Sequence, residues 1–167
     1  MTAQVGETLH YEGREVVMCN EPLGDYFKLV GIEPEFDANC TALWRGYLGT
    51  WEIQDTRLYL IGLTGVMKGL IEANVATIFP GYPGRVFAHW YSGTLRVPEG
   101  KILRYVHGGY GSTYENDLLI TIDKGVVTQT HLRLNGISDD PDSTEIGYRI
   151  HGMYVSARQN PDEEPKL

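Results

Sequence analysis

The chain has 167 residues, with 22 acidic side chains against 14 basic ones and a formal net charge of −8. A chain of that length can bury roughly 70% of its unfolded surface and needs no disulfide or metal staple. The acid excess disfavours a nucleic-acid phosphate backbone and an anionic membrane as partners, and suits a basic protein surface. No run approaches the roughly 18 apolar residues of a spanning helix. The N-terminal region lacks a basic segment followed by an apolar one, so the expectation is a cytoplasmic protein without a signal peptide. Cys19 and Cys40 lie in no CxxC or Cys-His cluster. They read as two small buried thiols in a reducing compartment, with no zinc site and no cofactor implied.

Along the chain, Arg14 to Cys19 suggests an edge strand, and Tyr26 to Ile32 a short helix or strand. A hairpin follows: Thr50 to Ile53, a turn at Gln54-Asp55-Thr56, then Arg57 to Ile61. Thr64 to Thr77 is the best helical candidate, although Gly65, Gly69, Val75 and Thr77 weaken it. Phe79-Pro80-Gly81-Tyr82-Pro83-Gly84 reads as a constrained double turn. A second hairpin is expected from Thr94 to Val97, turning at Pro98-Glu99-Gly100 and returning over Lys101 to Val106. The third has the firmest period-2 alternation, Leu118, Ile120 and Ile122 against Leu119, Thr121 and Asp123. It turns at Asp123-Lys124-Gly125 and returns over Val126 to Leu134, in the pattern of a type I turn closed by a left-handed glycine. Asn135 to Thr144 is a polar, acidic loop, and Glu145 to Ser156 alternates loosely as a last strand. The fold expected is mainly β: an antiparallel meander of hairpins forming a curled sheet or partial barrel, with little helix. One domain spans residues 1–158, with a disordered acidic tail over 159–167.

Three clusters could carry chemistry. Around His107-Gly108-Gly109-Tyr110-Gly111-Ser112, three glycines let the backbone approach a ligand, while His107, Tyr110, Ser112 and Glu115 offer hydrogen-bonding groups. It lacks the phosphate-loop lysine, and the bland alternative is a connection between strands with aromatics packed over glycine. In Phe87-Ala88-His89-Trp90-Tyr91, a strand would put His89 on one face and Trp90 on the other. Two histidines without a carboxylate at a recognisable spacing are weak support for a metal, and a half-buried structural His89 is the commoner outcome. Trp44-Arg45-Gly46-Tyr47 permits stacking and bidentate capture of a carboxylate or phosphate, against an internal pair between Arg45 and a glutamate. No nucleophile elbow, Ser-His-Asp order or Cys-His pairing is visible, so the chain leans away from catalysis.

The motifs W-R-G-Y-x-x-T-W-E-I from Trp44 and Y-V-H-x-G-Y-G-S-x-Y-E from Tyr105 resemble a family of small uncharacterised bacterial proteins. The resemblance covers about residues 40 to 128 and implies a bacterial origin, with no activity to transfer. Three functions follow from the residues. The first is a non-catalytic binding protein, of immunity or inhibitor type, whose Tyr, Trp and Arg side chains anchor a protein partner. The alternative is a small-molecule site, nucleotide- or sugar-like, on the glycine-rich segment with His89, Arg45 and Glu115. The third is a homo-oligomer paired through a sheet edge.

Overall fold

The computed structural model describes residues 2–38 and 40–145 and, for the backbone alone, two strands at Tyr148–Ile150 and Met153–Val155. In chain order the elements are β1 (Glu7–Tyr11), β2 (Arg14–Met18), α1 (Pro22–Val30), β3 (Tyr47–Gln54), β4 (Arg57–Met67) and β5 (Ile71–Glu72). They continue with α2 (Val75–Ile78), β6 (Val86–Phe87), β7 (Gly93–Arg104), β8 (Thr113–Asp123), β9 (Val126–Leu134), β10 (Tyr148–Ile150) and β11 (Met153–Val155). The protein is mainly β with little helix, as its turn-rich sequence implies. Nine strands form one sheet in the order β2-β1-β3-β4-β9-β8-β7, with β5 and β6 paired to β4. All its pairs are antiparallel except β1 with β3, which are parallel because β2 and α1 intervene between them.

The sheet curls without closing into a barrel. Its first and last strands meet through a short clasp: Cys19 N–H donates to the Arg96 carbonyl of β7 at 2.9 Å. The Asn20 side chain extends the clasp, donating to the Thr94 carbonyl at 3.0 Å and accepting from Arg96 N–H at 2.6 Å. On the other side β4 and β9 touch only near their turns, at Arg57 and Val126, and then diverge. The chain around β6 enters that gap, pairing Phe87 and Val86 with Tyr59 and Leu60, while the Tyr91 carbonyl accepts from Gly125 N–H. Inside the curl Leu9, Trp51, Leu58, Leu60, Leu95, Ile120 and Ile122 are fully or almost fully buried. Each large apolar side chain so placed contributes roughly 1.5–3 kcal/mol relative to exposure. Helix α1 begins on Pro22 and ends on left-handed Gly31; it caps one mouth of the curl with Leu23 and Phe27.

Several sequence expectations require correction. The Pro98-Glu99-Gly100 turn does not form; β7 runs straight through it and pairs with β8. Gly100, at φ +81°, instead makes a bulge, and Pro98 is tolerated because β7 is the last strand of the sheet order, whose outer side asks for no ladder donor. The true β7–β8 connection is the glycine-rich segment Tyr105–Ser112. The helix expected over Thr64 to Thr77 is replaced by the end of β4, a turn with Gly69 and Leu70 in the left-handed region, β5 and the single turn of α2. Gly65 explains part of this: a Cβ there would meet the Gly46 carbonyl at 2.9 Å, so the position is chosen for close packing of β4. The helix lies at Pro22–Val30 instead. The turns at Asp55-Thr56 and Lys124-Gly125 have two residues, both at positive φ, as does Glu12-Gly13 between β1 and β2. They are the tight mirror-image hairpin turns and not three-residue ones. The expected double turn is a turn at Phe79-Pro80-Gly81-Tyr82, closed by Tyr82 N–H on the Phe79 carbonyl. Cys40 is exposed, so it is not the buried thiol expected; Cys19 is partly buried. The last strand is two short strands, β10 and β11, paired with each other. The acidic tail over 159–167 lies outside the described residues.

Candidate functional site

The glycine-rich connection is held down by charge from beneath. Arg96, on β7, donates from Nη1 to the Tyr110 carbonyl and from Nη2 to the Ser112 carbonyl, each at 2.7 Å. Its Nε donates at 2.8 Å to Asp117, a fully buried carboxylate on β8. Arg133 at 2.6 Å and Asn135 at 2.9 Å complete the Asp117 shell. Burial works to raise the Asp117 pKa, but these donors outweigh it and hold the carboxyl below the ordinary range. The loop's glycine N–H groups are also taken: Gly108 donates to Val106, Gly109 to Thr2 and Gly111 to Gly108. Gln4 N–H returns a bond to the Gly109 carbonyl at 2.8 Å, so the loop and the N-terminal segment run together.

Between that segment and the loop lies a pocket of about 250 Å³. Its walls are Val5, Val17, Tyr105, Tyr110 and Tyr114, with Gln4 and Ser112 as polar points and Cys19 on its lining. A second hollow of about 360 Å³ adjoins it across Cys19 and Tyr110 and carries Glu21, Asp25 and Lys28. Burial pushes the Cys19 thiol up to about 11. Burial, with Glu21 accepting its hydroxyl proton at 2.7 Å, moves Tyr110 well above the usual phenol range.

Behind Tyr110 sits a buried ionic cluster. Glu7 is fully buried and accepts from Arg45 Nε at 3.1 Å and from Trp51 Nε1 at 2.5 Å. Arg45 Nη2 donates to the Val5 carbonyl at 3.0 Å; its Nη1 makes no directed hydrogen bond and lies 3.3 Å from Glu21 Oε1. Burial raises the Glu7 carboxyl above its ordinary value, with Arg45 opposing. For Arg45, burial acts to lower the pKa, but Glu7, Tyr110 and Glu21 reverse it, and the guanidinium stays charged.

No family model, curated protein or solved structure matches the chain. The assignment of roles therefore rests on geometry.

Of the residues singled out by sequence, Tyr110 and Ser112 line the pocket, and Arg45 braces it from behind. Glu115 does not: its carboxylate accepts from Lys101 N–H and Ser138 N–H, each at 2.9 Å, and fastens the Gly100 bulge to the acidic loop. Those bonds lower its pKa. Trp90 packs against Tyr26 and Phe79, which also touch each other, and donates to the Pro22 carbonyl at 2.8 Å. His89 is exposed beside it, because the chain leaves β6 at Ala88 and turns, which breaks the strand alternation expected there. His107 is exposed and shares a 2.9 Å hydrogen bond with the Tyr105 hydroxyl. With β7 running unbroken between them, His89 and His107 stand at opposite ends of a strand roughly 35 Å long. Trp44 is half-exposed, and its backbone N–H donates to Gln4 Oε1. Among the described residues no group of three His, Cys, Asp or Glu could hold a metal. Val5, Val17, Cys19 and Glu7 were missed, since each belongs to a short strand or loop joined to the glycine segment only by the curl. A carboxylate at Glu7, inside an otherwise alternating strand, was the one available signal.

Proposed function

We propose that the protein is a non-catalytic binding protein that takes one small, largely apolar ring compound in the pocket under the glycine-rich connection. The tyrosine-walled pocket of about 250 Å³ carries this reading. At about 30 Å³ per displaced water, it suits a one- or two-ring molecule. Small-ligand sites are lined predominantly by such apolar and aromatic walls. The polar side chains here, Ser112 and Gln4, are already hydrogen-bonded within the protein, which suits an apolar ligand. The framework is preorganised by the Arg96–Asp117 anchor, so little ordering opposes binding.

Binding is favoured over catalysis because the nearby nucleophile candidates are committed. Ser112 Oγ accepts from Val106 N–H at 3.0 Å. A thiol with its pKa near 11 stays protonated at neutral pH and does not act as a thiolate. A nucleotide- or sugar-like ligand has less support, since the glycine N–H groups that would meet phosphate are spent within the protein. For the protein-partner reading, Trp44 is the exposed tryptophan anchor, while Trp51 is in the core.

Ligand-observed NMR against one- and two-ring aromatics, monosaccharides and nucleotides separates these classes. Saturable binding confined to the aromatics is expected; saturable nucleotide binding without it would overturn the proposal.

A further inference from the structure

We infer that the outer edge of β9 is a self-association surface that pairs antiparallel with β9 of a second copy of this chain. Among the described residues β9 is joined to β4 only at Val126, and every residue from Thr128 to Leu134 is exposed. An unpaired strand edge is a template for another strand, and proteins that remain apart protect it with lysine, proline, inward charges or bulges. The other edge strands here carry such protection. β2 is clasped to β7 by Cys19 and Asn20, and β7 bears Pro98, the Gly100 bulge and a bridge from Lys101 to Glu145. On β9 the one such feature is a bulge at Thr128, next to the Val126 contact. From Gln129 to Leu134 the ladder with β8 runs in unbroken register, with no lysine, proline or acidic residue.

Charge selects the occupant. In a chain of net charge −8, this stretch contains no acid, and its one constant charge, Arg133, is bound to Asp117 of its own chain. A basic partner strand finds no counter-charge here, and an acidic one finds only an arginine already engaged. A second β9 meets uncharged threonine, glutamine and leucine, without opposed acidic side chains. Leu132 and Leu134, 47% and 75% exposed, lie on one face of the strand, so antiparallel pairing brings both copies' leucines onto a shared face.

Sedimentation velocity over an about hundred-fold concentration range tests this. The wild type is expected to shift from monomer to dimer, and Leu132→Lys/Leu134→Lys to stay monomeric with an unchanged melting temperature. A wild type that remains monomeric throughout, or a double variant that dimerises equally, overturns the proposal. Should the variant lose its fold, amide exchange in the wild type decides: residues 128–134 must gain protection with concentration, and unchanged exchange rejects the edge.

Discussion

Arg45 and Asp117 are the two charged residues on which the neighbourhood of the pocket depends, and their electrostatics differ in sign. Arg45→Met leaves Glu7 buried without its cation and should cost about 3–5 kcal/mol in urea unfolding. Glu7 already has a raised pKa, and losing Arg45 raises it further. With its pKa raised, the carboxyl is more readily protonated in the folded chain than in the unfolded one, so stability falls as pH rises above the unfolded value. The penalty of Arg45→Met should therefore be larger at pH 8 than at pH 5; an equal penalty at both would contradict the assignment. Asp117 is the opposite case, with its folded pKa held down by Asn135, Arg133 and Arg96. Its contribution is present above the ordinary carboxyl value of about 4 and lost as pH falls through the folded value. Asp117→Asn should cost about 3 kcal/mol above pH 5, with the deficit shrinking in acid. It should also loosen the loop, visible as faster amide exchange at Gly111.

At the scale of elements, the turns and clasps show what the sequence reveals and what it hides. The Asp55-Thr56 turn places a β-branched residue at φ +63°, a conformation that suits glycine. Thr56→Gly should stabilise the protein by about 1 kcal/mol in thermal unfolding, since that strain is relieved. Asn20→Ala removes both side-chain bonds of the β2–β7 clasp and should cost about 1–2 kcal/mol, with exchange accelerated at the Arg96 amide. The hairpin from Leu118 to Leu134 was legible because alternation and turn chemistry agree locally. Pro98-Glu99-Gly100 misled because the same residues that close a turn also suit a bulge on an outer strand; only the pairing with β8, fixed by Leu95 and Val97 against Ile120 and Leu118, decides. Thr64 to Thr77 misled because its glycines enter a local reading only as weak helix formers, whereas Gly65 is set by close contact with Phe36 and Gly46, which are distant in sequence. Of the site, Tyr110 and Ser112 were visible as part of an unusual glycine segment. Val5, Val17 and Cys19 were not, because they reach Tyr110 across roughly 90 to 105 residues of sequence, a separation no local pattern encodes.

For the whole molecule, a curled sheet with a clasped seam produces two distinct surfaces. The clasped side brings the N-terminal segment against the glycine-rich connection and creates the pocket; the splayed side leaves β9 beyond Val126 as an open edge. No helix among the described residues is long and apolar enough to cross a membrane; α1 buries Leu23 and Phe27 against the core. The two surfaces are separable by substitution, since Leu132→Lys/Leu134→Lys leaves the pocket walls intact. Ala3→Phe does the reverse, filling the pocket from the N-terminal segment without removing a buried group. The decisive measurement is the dissociation constant of the tightest aromatic ligand for wild type and Ala3→Phe, each shown folded by its melting curve. Binding weakened at least about tenfold in the variant, an effect of about 1.4 kcal/mol, is the result predicted. Equal affinity in the two proteins would place the ligand elsewhere and contradict the assignment of this pocket.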